Sequence, residues 1–238
     1  MRTIDREKLK AVGFEWGFDL DDRALERFDL CAKLLTETNK QMNLTSITEP
    51  DEIITKHFLD SLLFFKALDP PKAAKIIDVG TGAGFPGLPL LIYREDLNIS
   101  FLDSTQKKLI YIERVLAEMG LKGETLHLRA EEAGQNPHLR ESYDIATARA
   151  VASLNILAEY CLPLVKKGGY FVALKAQTAK EESDAAAGAL KTLGGRIISQ
   201  NEFKLGEAGD RNIIVTEKLG PTPKKYPRPA GAIKKKPL

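Results

Sequence analysis

Apolar positions in the first seventy residues recur at helical spacing, whereas from Lys75 onward they gather into short runs. Asp21 and Asp22 precede Leu25, Phe28, Leu30, Leu34 and Leu35, a stripe that predicts a capped helix reaching about Met42. Glu49-Pro50-Asp51 opens another, with Ile53, Ile54, His57, Phe58, Ser61, Leu62 and Phe65 along it; proline suits a first helical turn. Asp69-Pro70-Pro71 stops it. Strands are then expected at 76–79, 99–103, 125–128, 143–148 and 170–174, with helices between them, one running to about Arg94 and one over 106–119. Crossovers of that length join parallel strands. After a helix near 179–193, strands at 196–203 and 212–218 are separated by a short link, which only antiparallel strands accept. The expected architecture is α/β: a doubly wound, mostly parallel seven-stranded sheet with N-terminal helices packed on it. It reads as one domain, divided into a helical segment 1–70, a core 71–220 and a tail 221–238.

Composition narrows the class. The 238 residues are 43% hydrophobic and 29% charged, ordinary for a globular domain. No apolar run approaches a membrane span, roughly 20 residues, and the N-terminus is too polar for a secretory signal. Cys31 and Cys161 have no metal-ligand spacing and read as core residues, so no metal centre is expected and a reducing cytoplasm is. Net charge is only +2, yet the tail holds Lys224, Lys225, Arg228, Lys234, Lys235 and Lys236 without one acid. A basic, proline-rich tail on a net-acidic body suits a polyanionic partner; the alternative is a solvated terminus.

The run Asp78-Val-Gly80-Thr-Gly82-Ala-Gly84-Phe85-Pro86-Gly87 lies between the first strand and the next helix. Its glycines permit a tight turn and a close approach of backbone to ligand. Gly82, Gly84 and Gly87 also satisfy a dinucleotide fingerprint. Pro86, however, supplies no N–H for a pyrophosphate, and an Asp stands two residues before the first glycine. S-adenosylmethionine offers an ammonium and a ribose diol instead of phosphates. Asp78 suits the ammonium, through water, and Asp103, ending the second strand, suits both ribose hydroxyls. The fold is therefore expected to be the class I, Rossmann-like S-adenosylmethionine-dependent methyltransferase type.

In open parallel sheets, ligands bind at the carboxyl ends of the strands. Those ends carry Gly80, Asp103, Arg129, Arg149 and Lys175. Three cations about one crevice suggest a phosphate-bearing acceptor held by its backbone; each alone is an ordinary surface ion pair. The Asn/Asp-Pro-Pro-aromatic run common among exocyclic-amine methyltransferases is absent, its place being Thr147-Ala-Arg149-Ala. No cysteine is placed as a nucleophile for C5 of a pyrimidine. A ring nitrogen with a free lone pair, such as guanine N7, needs neither device, only alignment. A methyltransferase for another acceptor, a nicotinamide-dependent oxidoreductase and a non-catalytic RNA-binding module remain rival readings.

The chain resembles the bacterial small-subunit rRNA guanine-N7 methyltransferase G family, also called glucose-inhibited division protein B. The matching stretches are Met42-Asn43-Leu44-Thr45-Ser-Ile47, His57-Phe-Leu-Asp60-Ser61-Leu62, the loop from Asp78 to Gly87, and Leu102-Asp103-Ser104. Arg129-Ala130-Glu131, Thr147-Ala-Arg149-Ala, Gly168-Gly169 with Lys175, and Lys225-Tyr226-Pro227-Arg228 extend it over nearly the whole chain. Near the C-terminus, Gly231-Ala232-Ile233 departs from the family's Gly-Thr-Pro. The resemblance implies a cofactor pocket from Gly80, Phe85, Asp103, Ser104, Thr105, Ala130, Glu131 and Arg149. It implies Asn43, Arg129, Arg149 and Lys175 as acceptor-side or catalytic residues, and 16S rRNA or the small ribosomal subunit as substrate for a monomer. Asn43 read by itself is a helix C-cap. His57, Asp60 and Ser61 share a helical face and read as a hydrogen-bonded brace.

Overall fold

A computed structural model describes residues 3–149, 152–175, 179–205 and 209–238. Helices α1 (Arg6–Glu15) and α2 (Asp22–Met42) lead the chain, each capped by the aspartate before it: Asp5 accepts from Lys8 N and Asp21 from Ala24 N. A helical run over 50–67, α3, follows. It comprises Pro50–Glu52, a π-helical turn Ile53–Leu59, then Asp60–Leu62 and Phe64–Ala67. Widened π turns often occur at functional sites. Here the turn keeps Ile53, Ile54, Phe58 and Leu59 in the core while His57 and Asp60 reach the sheet.

The alternation comes next: β1 (Lys75–Val79), α4 (Gly87–Tyr93), β2 (Asn98–Asp103), α5 (Gln106–Met119), β3 (Glu124–His127), α6 (Ala130–Gln135) and β4 (Tyr143–Arg149). Then come α7 (Leu154–Cys161), β5 (Val165–Lys175), α8 (Ala179–Leu193), β6 (Gly195–Lys204), β7 (Asp210–Lys218) and α9 (Ala230–Lys235). The sheet order is β3-β2-β1-β4-β5-β7-β6. β1 to β5 are parallel, and β7 runs antiparallel between β5 and β6, as the short link requires. Successive residues of a strand face opposite layers. Ile76 packs with the N-terminal helices, α4 and α5; Ile77 packs with α7, α8 and Ile233 of α9.

Two elements differ from expectation. β5 begins at Val165 rather than near 170, because exposed Lys166 and Lys167 and the two glycines after them hide the strand's start from an apolar-pattern reading. The tail, read as a basic extension, is instead a packed strap. Thr222 and Tyr226 are buried, and Arg140 donates to the carbonyls of Thr222 and Tyr226, both at 2.8 Å. Gln135 donates to Pro227 O at 2.8 Å, and a Cβ on Gly134 would stand 2.7 Å from the Pro227 ring. Arg228 donates to the fully buried Glu159 carboxylate through N, Nε and NH2 at 2.9, 2.8 and 2.6 Å. A charge-assisted bond of this kind is stronger than a neutral one.

Candidate active site

At the carboxyl edge of the sheet the loop after β1 is held by aspartates from two strands. Asp78 is fully buried, and its Oδ2 accepts from Thr81 Oγ1 at 2.6 Å and Gly87 N at 2.9 Å. Asp103 accepts from Gly82 N through Oδ2 at 3.0 Å and from Thr105 N through Oδ1 at 2.8 Å. Gly80, Gly82 and Gly84 all have positive φ, from 61° to 90°. At Gly84 a side chain would meet Leu88 at 2.3 Å as well. Glycine is thus needed there for conformation and for space.

A cavity of about 510 Å³ opens beside this loop. Gly80, Asp103, Ser104, Thr105, Ala130, Glu131 and Arg149 line it, as the sequence reading expected, and so does Arg129. Leu102, Leu128, Ile156, Leu157 and Tyr160 give it apolar and aromatic walls. Asp78, Gly82, Gly84 and Phe85 are not among the lining residues; they shape the loop from behind. The donor set nevertheless fits S-adenosylmethionine. Each Asp103 oxygen keeps a lone pair for a ribose hydroxyl. Asp78 Oδ1 is buried without a partner, an acceptor left for a cation, and burial pushes this carboxyl up to about 6.

A second cavity, about 320 Å³, lies between the helical run α3 and the ends of β4, β5 and β7. Ile47, Lys56, His57, Asp60, Arg149, Leu174, Lys175 and Arg211 line it. Arg149 lines both cavities and marks the seam between them. Its NH1 donates to Asp60 Oδ2 and Lys56 O, and its NH2 lies beside His57 Nδ1, all at 3.1 Å. A guanidinium only donates, so Nδ1 is the acceptor and the imidazole proton sits on Nε2. From there it is donated to Thr45 Oγ1 at 3.0 Å. Burial, and secondarily the Arg149 charge, pushes His57 down to about 3, so the ring is neutral. Phe85 stacks on His57 with centroids 4.3 Å apart and lies 5.0 Å beneath the Arg149 guanidinium. His57 is therefore the brace that its helical spacing with Asp60 and Ser61 suggested.

The three strand-end cations do not share one crevice. Arg129 lines only the larger cavity and Lys175 only the smaller. Nor are they equally available. The four cations lining the smaller cavity share three carboxylates: Lys56 pairs with Glu52, Lys175 with Glu182 at 2.9 Å, and both Arg149 and Arg211 with Asp60, at 3.1 and 2.9 Å. Lys175 also donates to Ala152 O at 2.6 Å. Arg149 and Lys175, expected to hold phosphates or the guanine O6, are thus each already engaged by a carboxylate, and a buried pair is costly to break. Asn43 lines neither cavity: it ends α2 in the left-handed conformation, φ 47° and ψ 54°, its N–H bonded to Asn39 O. Asn39 then bonds the N–H and C=O of Thr45, both at 2.9 Å, presenting that residue to His57.

Arg211 went unnoticed in the sequence reading. The signal was topological, since an antiparallel β7 brings its amino end to the edge where the parallel strands finish, with Asn212 opposite Lys175. Tyr160, Lys108 and Lys234, also unforeseen, complete the larger cavity. Among the described residues no group of His, Cys, Asp and Glu could hold a metal, and no helix is long and apolar enough to cross a membrane.

Comparison with known proteins agrees with this geometry. The profile of the family described as "GidB: rRNA small subunit methyltransferase G" matches residues 24–214. The Ribosomal RNA small subunit methyltransferase G of Bacillus subtilis is 48% identical over 226 residues, covering 94% of this chain and 95% of that one. Its namesake from Clostridium perfringens is 44% identical over 224 residues, with 93% and 94% covered. The fold is also that of a SAM-dependent O-methyltransferase from Thermotoga maritima, at 16% identity and TM-score 0.52, covering 79% of this chain and 72% of that one. The fibrillarin pre-rRNA processing protein of Methanococcus jannaschii gives TM-score 0.52 at 17% identity, covering 64% and 70%. With the loop, the paired cavities and near-complete coverage in agreement, the chain belongs to the rRNA small subunit methyltransferase G family.

Proposed function

We propose that this protein transfers the methyl group of S-adenosylmethionine to N7 of one guanine in 16S, small-subunit ribosomal RNA. The observation that carries the reading is the pair of cavities meeting at Arg149, one built for the cofactor and one of a size for a base. S-adenosylmethionine would supply a sulfonium methyl whose carbon a ring-nitrogen lone pair attacks in line, the C–S bond breaking and neutral S-adenosylhomocysteine leaving. Gly80, Asp103 and Thr105 hold the cofactor, and Arg149, braced by Phe85, His57 and Asp60, fixes where the base edge meets it. His57 is neutral and already bonded on both nitrogens, and Cys31 and Cys161 are buried. His57 and the two cysteines are thus not placed as base or nucleophile, which suits an acceptor with no proton to remove. Methylating N7 leaves the ring cationic. The strand ends alone suggested only cations there, but α3 brings the Asp60 carboxylate into the same cavity, where it is held between Arg149 and Arg211.

The reading extends to a monomer that acts on 16S rRNA or the small ribosomal subunit in the cytoplasm, where ribosomal subunits are made. The N-terminal helices share a core with the sheet, which supports treating 1–238 as one methyltransferase domain. The test is chemical. RNA carrying N7-methylguanosine is cut at that nucleotide after borohydride and aniline treatment. Small-subunit rRNA incubated with the protein and S-adenosylmethionine should be cut at one guanine. Methylated RNA that resists cleavage would exclude N7.

Cofactor affinity should depend on pH through Asp78. In the free protein its folded value, about 6, lies above the unfolded value, so the protonated form persists until pH rises through 6. An ammonium in the adjoining cavity, reaching Oδ1 through water, favours the carboxylate. Affinity should therefore climb from pH 5 to 7, where an α-amino group with a pKa near about 8 stays charged, and then level off. Calorimetry on Asp78→Asn should show no such climb; a climb of equal size would place the ammonium elsewhere.

A further inference from the structure

The cations of the smaller cavity are already engaged by Glu52, Asp60 and Glu182, which makes them poor first choices for the phosphates of an RNA substrate. A group of cations without an ion pair among the described residues lies on the rim of the larger cavity. Arg129 lines the larger cavity, is exposed, and has no ion pair among the described residues. Lys234, on α9, lines the same cavity and is likewise exposed and unpaired among the described residues. Lys224, Lys225, Lys235 and Lys236 on the same strap are exposed and have no ion pair among the described residues, and Lys225 lies 5.2 Å from the centre of the Tyr226 ring.

This row is fixed in place. The strap runs along α6, whose first residue follows Arg129 and whose last, Gln135, donates to Lys224 O and Pro227 O. Arg228, the one strap cation with a buried acid, serves as its anchor on Glu159. Ile233 is buried against the α7 side of the core, so α9 turns its apolar residue inward and its lysines outward. That orientation leaves no apolar face for a lipid surface and a rigid basic one for a polyanion.

We propose that the strap 222–236, together with Arg129, is the surface that docks the RNA backbone next to the acceptor nucleotide. The proposal rests on the reading of the protein as an RNA methyltransferase. It is tested by the salt dependence of binding to small-subunit rRNA transcribed in vitro. Lys224→Gln/Lys225→Gln and Lys235→Gln/Lys236→Gln remove cations that line neither cavity. Each pair should weaken binding and flatten the log-log salt slope, by about 0.7 for each lost single-strand phosphate contact. Calorimetric affinity for S-adenosylmethionine should be unchanged. Lys75→Gln/Lys122→Gln, at the opposite, amino edge of the strands, should leave the slope as in wild type. An unaltered slope in both strap variants, or an equal loss in the Lys75/Lys122 control, would overturn the strap as the docking surface. If the wild-type protein itself failed to bind or methylate the RNA, the functional reading would fall with it.

Discussion

Replacing Arg149 by alanine is expected to slow methyl transfer on the order of a hundredfold, the scale of loss when reacting groups are misplaced by about 1 Å. Arg149 is the one residue common to both cavities, and its guanidinium fixes three partners at 3.1 Å. Its removal leaves His57 Nδ1 without a donor, uncovers Phe85 and leaves Asp60 with only Arg211. Breaking a buried ion pair by deleting one partner costs about 3 kcal/mol or more, so denaturant unfolding should report a large loss as well. Arg149→Lys separates the two effects. It restores the charge but not the planar fork, and should recover stability further than rate. Single-turnover kinetics with saturating cofactor is the deciding measurement; a wild-type rate in Arg149→Ala would remove Arg149 from the seam between donor and acceptor.

Asp103→Ala should weaken S-adenosylmethionine binding by roughly ten- to a hundredfold, corresponding to about 1.5–3 kcal/mol for hydrogen bonds to a charged group. The carboxylate has two tasks. It holds the Gly82 and Thr105 N–H groups, and so the shape of the loop, and it presents free lone pairs to the cavity. Lys108, 3.8 Å away, adds a weak pairing. Calorimetry should show the loss in affinity. Unchanged affinity would mean that the ribose lies elsewhere in the cavity.

Much of this site was legible along the chain. The helix over 106–119, the seven strands and the loop between β1 and α4 follow from local periodicity and glycine chemistry, which depend on near neighbours. Asp103 was read from the end of a parallel strand, a ligand position wherever the sheet is open, and Thr105 from the family resemblance. Arg129, Arg149 and Lys175 were found by the same rule, yet their roles were not. Arg149 looked like one of three equivalent cations until α3 delivered Asp60, 89 positions earlier, to its side chain.

What the sequence by itself determined was therefore the fold, the cofactor loop and the list of polar residues at the sheet's mouth, all encoded in short-range patterns. What only the tertiary structure decided was which of those charges are free. Asp60 meets Arg211 across 151 positions, and Glu159 meets Arg228 across 69. A carboxylate brought through space converts one cation into a fixed strut and leaves another to the solvent and its ligands. Sequence spacing carries no record of that distance, because Coulomb attraction depends on separation in space and on burial rather than on position along the chain.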